Sequence, residues 1–90
     1  MMELIIKREK KFKKSFEKLD RSSQFLILKQ IEKIKNNPYI GKPMKYQRKG
    51  TREIYMKQFR LSYIFQKNEM IIVFLELCGK IKRFLVSKIS

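Results

Sequence analysis

The chain opens on a short apolar run, Leu4-Ile5-Ile6, of the length and composition that suit a β-strand. Residues 9–20 then place Phe12, Phe16 and Leu19 at i, i+4 and i+7, one stripe of an amphipathic helix with lysines on the other side. Asp20 to Ser23 supplies cap and turn residues, and a second helix follows with Phe25, Leu28, Ile31 and Ile34 at helical spacing and Ile27 widening the stripe. Asn36-Asn37-Pro38 ends it, because Asn tolerates the left-handed position after a helix and Pro cannot continue one. The two helices make a hairpin with one apolar side. From residue 52 the period changes to two: Phe59, Leu61, Tyr63 and Phe65 alternate, leaving Gln58, Arg60, Ser62 and Ile64 on the opposite face. Gln66 to Glu69 reads as a turn, and Met70 to Leu77 is apolar on both faces, as a buried central strand is. Gly79 breaks that run and Ile81 to Val86 is expected as a last short strand. The predicted order is β-α-α-β-β-β, an α+β class, with room for a further short strand near 42–47. With no internal repeat, low-complexity tract or linker, residues 1–90 are expected to form a single domain.

Charge changes this picture most. There are 23 Lys and Arg against 8 Asp and Glu, a formal net charge of +15. That is about twice the magnitude that suits a small solubility-balanced domain. With 43% hydrophobic residues the chain still folds rather than behaving as a basic disordered tail. The surplus is uneven. Residues 42–60 hold Lys42, Lys45, Arg48, Lys49, Arg52, Lys57 and Arg60 against Glu53 alone. Residues 78–90 add Lys80, Lys82, Arg83 and Lys88 with no acid, while the segment between is apolar and nearly neutral. A central strand pair there brings both basic blocks toward one surface. The lysines of the first helix read instead as an ordinary solvated face. The absence of histidine and the single Cys78 exclude, within one chain, zinc sites built on His or Cys clusters, Ser-His-Asp triads and Cys-His pairs. No apolar run is long enough to cross a membrane as a helix, and the start has its charges in the wrong order for a secretory signal. The expectation is a cytoplasmic protein that meets a polyanion.

Asn37-Pro38, Gly41-Lys42-Pro43-Met44-Lys45, Gly50 before a strand and Phe59-Arg60-Leu61-Ser62-Tyr63 follow one another in an order that resembles the RelE/ParE superfamily of bacterial and archaeal toxins. The resemblance covers nearly the whole chain, since length and element order fit as well. It implies a twisted, mainly antiparallel sheet with the two helices on one face, and an acidic antitoxin as partner. In RelE-like members the toxin enters the ribosomal A site and cuts mRNA by attack of a 2′-hydroxyl on the neighbouring phosphate, so ribosome and mRNA are implied as partners, with no metal, cofactor or membrane.

That chemistry suits a site without histidine. Clustered cations lower one another's pKa and poise a lysine as base, while an arginine neutralises the phosphorane. Arg60 matches the superfamily's Tyr-Arg-Ile arginine and is the principal catalytic candidate; the competing reading pairs it with Glu53 or Glu76 inside the sheet. Arg52, Lys82 and Arg83 complete the catalytic set, and Lys42, Lys45, Arg48, Lys49, Lys57 and Lys80 are the candidates for tracking RNA, or for remaining in water. The chain departs from the superfamily where Ile81 replaces an expected arginine and where no Tyr follows Tyr63. These departures keep two rivals in view: a ParE-like toxin that poisons DNA gyrase, and a non-catalytic basic nucleic-acid-binding domain. Tyr39, Tyr46 and Tyr55 are weighed as core or rim against base stacking, Cys78 as a buried small hydrophobe, and Glu76 as an arginine partner.

Overall fold

The computed structural model describes residues 3–46 and 49–79. The expected strand Ile81–Val86, and with it Lys80, Lys82 and Arg83, lies outside the described residues, as does Arg48. Strand β1 (Ile5–Arg8) leads into helices α1 (Lys10–Glu17) and α2 (Arg21–Asn36), then β2 (Lys42–Pro43), β3 (Arg52–Met56), β4 (Phe59–Gln66) and β5 (Ile71–Gly79). The strands form one sheet in the order β1-β5-β4-β3-β2. β1 runs parallel to β5 and the other pairs are antiparallel. The expected extra strand is the two-residue β2, at the edge, where Pro43 costs no ladder bond.

The sheet buries one face under the helices. Phe12 of α1 and Ile27, Ile31 and Ile34 of α2 pack against Leu61, Tyr63, Ile72 and Phe74, with Phe12 and Tyr63 each within 6.0 Å, ring centre to centre, of Phe74. The expected alternation in β4 holds, for Phe59, Leu61 and Tyr63 are all buried. The phase of α2 differs from the sequence reading. Its buried stripe is Ile27, Ile31 and Ile34, whereas Phe25 and Leu28 are exposed at 61% and 46%. The apolar arc of α2 is wider than the face the sheet covers. Leu28 is left to line a groove of about 200 Å³ between the helices, beside Phe12 and Phe16.

Two local devices shape the sheet's polar face and the loop at its edge. Between β4 and β5 the register slips by one, so Leu75 is an extra residue on β5. The bulge keeps Phe74 and Leu77 both on the helix side and turns Glu76 to the other. The second device is Tyr63, whose hydroxyl donates to the Pro38 carbonyl at 2.6 Å and accepts from the Gly41 N–H at 2.9 Å. It ties the end of α2 to the core. A Cβ at Gly41 would fall 2.6 Å from the Tyr63 hydroxyl oxygen, so this approach requires glycine. Burial above all raises the Tyr63 phenol above its ordinary range, against the Gly41 hydrogen bond and the Arg52 charge.

Candidate functional site

Strand register, more than proximity in sequence, assembles the second face of the sheet. The β3–β4 hairpin turns over Lys57-Gln58, which sets Glu53 opposite Ser62 and Tyr55 opposite Arg60. β5 adds Glu76 opposite Ser62 and Cys78 opposite Arg60, and β2 adds Lys42 opposite Glu53. Directly opposed residues in antiparallel pairs share a face. Glu53, Tyr55, Ser62, Glu76 and Cys78, from three adjacent strands, therefore share one face with the Arg60 guanidinium.

Glu53 is the anchor of this cluster, only 2% exposed. Its Oε1 accepts the Tyr55 hydroxyl at 2.6 Å and its Oε2 the Ser62 hydroxyl at 3.3 Å. The same Oε2 lies 4.0 Å from Arg60 Nε. On the far side, Glu76 Oε1 is 3.9 Å from Arg60 Nη2, and its Oε2 is 3.8 Å from Nζ of Lys11 on α1. Arg60 Nη2 donates to Cys78 Sγ at 3.4 Å, and the Cys78 thiol reaches Glu76 Oε1 at 3.9 Å. The Cys78 hydrogen bond is the largest influence raising the Arg60 pKa above its already high range, joined by the Glu53 charge and opposed by burial. The guanidinium stays charged at every accessible pH.

Arg60 is thus on the face opposite Phe59, Leu61 and Tyr63, as its parity predicts, but its side chain is only 19% exposed and both candidate carboxylates bracket it. Arg52 stands elsewhere. It is opposite Tyr63 on the helix side, where its Nη1 donates to the carbonyls of Gly41 at 2.7 Å and Tyr39 at 3.1 Å. Its guanidinium also lies over the Tyr39 ring, 5.1 Å from the centre. The fold does not bring Arg52 and Arg60 together. Lys42, Lys45, Lys49 and Lys57 are all exposed, Lys42 being the one in register with the cluster. Cys78 corrects its sequence reading: it is half-buried on the polar face and serves as a hydrogen-bond partner, because the bulge at Leu75 sets its side. None of Tyr39, Tyr46 and Tyr55 is in the core, and Tyr46 is 90% exposed.

Tyr55, Ser62 as a partner of Glu53, and Lys11 were not legible in the sequence, although alternation had placed Ser62 on the Arg60 face. The signal for the first two was the hairpin, since a two-residue turn at 57–58 fixes every pair of β3 with β4. Lys57 takes the positive φ of 49° usually given to Gly or Asn, so that signal was silent.

No protein-family model matches this sequence, and no curated protein matches it. Solved structures do. A chain of the toxin–antitoxin complex RelBE2 from Mycobacterium tuberculosis superposes with a TM-score of 0.78 at 16% identity, covering 87% of this chain and 99% of that one. A YoeB/ParE toxin from Agrobacterium tumefaciens gives 0.76 at 14% identity, over 84% of this chain and 98% of that one. The isolated Escherichia coli RelE toxin gives 0.73 at 13% identity, over 98% of this chain and all of that one. With β1 parallel to β5, a helical hairpin on one face and the antiparallel β3–β4–β5 meander, the chain has the fold of the RelE/ParE toxins.

Proposed function

We propose that this chain is the toxin of a type II toxin–antitoxin pair, acting in the cytoplasm, and that it blocks translation by cutting mRNA on the ribosome. The observation that carries this reading is the match in fold, along nearly the whole chain, to chains described as toxins. The +15 charge supports a polyanionic target, and a disordered acidic antitoxin that folds as it binds suits the same surface. In the reaction, the 2′-oxygen loses its proton to a base and bonds to phosphorus. The P–O5′ bond then breaks and the departing oxygen takes up a proton, leaving a cyclic phosphate. Arg60 is the group assigned to the phosphorane charge, on the face where the strands converge.

The test is ribosome-programmed mRNA cleavage at equal ribosome occupancy. Arg60→Ala is expected to cut roughly two to three orders of magnitude more slowly. Arg60→Lys does not restore the rate fully, because an ammonium lacks the planar two-pronged donor set. Glu53→Gln accompanies Arg60→Ala in a second variant, so that the buried carboxylate and its neighbouring cation are removed together. Equal cutting by wild type and variants removes Arg60 from the chemistry. The bracketing of Arg60 by Glu53 and Glu76 favours a second reading, a toxin that acts by binding without cutting; the resemblance to ParE-like toxins makes DNA gyrase its target. No cutting by any form, with arrest of DNA synthesis on expression, selects it. Co-expression with an acid-rich reading frame adjacent to the gene is expected to relieve growth arrest and raise soluble yield under either reading.

A further inference from the structure

The carboxylates around Arg60 neutralise it without using its donors. Both stand 3.9–4.0 Å from its nitrogens, beyond the 2.7–2.9 Å of a charge-assisted hydrogen bond. Arg60 Nε is buried with no hydrogen-bond acceptor among the described residues, and Nη2 donates to a sulfur, a weak acceptor. The two carboxylates also differ. Glu53 is 2% exposed and held by two hydroxyls, so it is fixed. Glu76 has its side chain 33% exposed on the strand that carries the bulge, and shares its charge with Lys11, which is 81% exposed. Glu76 therefore has a second cation to turn to when an anion reaches Arg60.

We infer that Glu76 is a specificity-determining residue: it screens Arg60 from loosely held phosphates and gives way, toward Lys11, to a phosphodiester that other contacts hold at the site. This rests on the reading of Arg60 as a phosphate-binding group. Displacing a partly exposed ion pair has a small cost, enough to disfavour a phosphate held at one point and too little to disfavour one held at several. Glu53 is the positioning partner that keeps the guanidinium in place in both states.

The experiment measures binding of a short single-stranded RNA by fluorescence anisotropy at low salt, without ribosomes, alongside the mRNA cleavage assay. Glu76→Gln is expected to tighten binding about two- to five-fold. In a Glu53→Gln/Arg60→Gln background, which leaves net charge unchanged, the same substitution is expected to give a gain of less than about 1.5-fold, its charge alone acting through solvent. Glu69→Gln removes one exposed charge away from the cluster and is expected to match that smaller gain. Circular dichroism melting confirms that each variant is folded. An equal gain in both backgrounds, or no gain beyond that of Glu69→Gln, overturns the inference. An Arg60-dependent gain with no mRNA cutting leaves Glu76 as a binding determinant while the nuclease reading falls. Arg60-dependent cutting with no gain does the reverse.

Discussion

On its helix side the sheet presents Leu61, Tyr63, Ile72 and Phe74, each wholly buried; on its other side Glu53 and Ser62 are hidden almost as well. Depth is similar and the physics differs. The helix side is held by area and volume, so its cost of change follows how much space a substitution empties. The polar side is held by partners. Removing one of them strands a charge, while removing both members of a pair is close to neutral. Low exposure alone therefore does not tell a residue held by packing from one held by its partners. What separates them is whether a second substitution repairs the first.

The largest effect is expected on the packed side. Phe74→Ala removes the ring that meets both Phe12 and Tyr63 and should cost about 3–5 kcal/mol. For a domain this small, each kcal/mol lowers the melting temperature by roughly 4–8 °C. No substitution of a single neighbour is expected to restore it by more than about 1 kcal/mol, and a full rescue by one would erase the distinction between the faces.

Arg60→Ala comes next, at about 3 kcal/mol, because it takes away a cation that stands 4.0 Å from the buried Glu53 carboxylate. Here a partner substitution should repair the loss: Glu53→Gln/Arg60→Ala is expected to return to within about 1 kcal/mol of wild type in urea denaturation. A double variant no more stable than the single would show that the polar face, too, is held by packing.

How far these faces were legible depends on the same contrast. Periodicity reports burial, so the alternation of Phe59, Leu61 and Tyr63 and the helical hairpin were readable from the chain. It reports phase less well when an apolar arc is wide, and Phe25 entered the predicted stripe while the sheet selected Ile27. Arg60 was placed on its face by parity, and Glu53 and Glu76 stood as its possible partners. That both bracket it depends on two registers, one set by an unmarked turn at Lys57 and one by a bulge at Leu75 inside an unbroken apolar run. Neither leaves a compositional trace. Arg52 shows the converse: a basic residue in an acid-poor block, spent on the carbonyls of Tyr39 and Gly41.

A smaller effect is expected where the faces meet the loop after α2. Gly41→Ala pushes a methyl against the Tyr63 hydroxyl and ring, which core packing keeps from moving away. The expected cost is about 1–3 kcal/mol, the range for overpacking. Gly41→Ala/Tyr63→Phe removes the hydroxyl and should recover part of it, while still losing the hydrogen bonds to Pro38 and Gly41. Melting curves of the three variants separate the clash from the lost bonds.

The smallest effect on stability is expected at the exposed lysines. Lys42 and Lys45 lie on the surface at and beside the edge strand, so Lys42→Ala and Lys45→Ala should each change stability by less than about 0.5 kcal/mol. Their role is read from salt dependence instead. If each neutralises a phosphate, each substitution lowers the steepness of log K against log salt by about one unit, with RNA affinity falling at every salt concentration. Lys42 stands in register with Glu53, in the row that continues through Ser62 to Glu76, whereas Lys45 lies beyond the strand. Lys42→Ala is therefore expected to alter the Arg60-dependent part of binding as well as the slope, and Lys45→Ala the slope alone. Each is combined with Arg60→Gln/Glu53→Gln, and the slopes are compared over the same salt range. Unchanged slopes for both would mean that Lys42 and Lys45 are solvated surface and meet no phosphate.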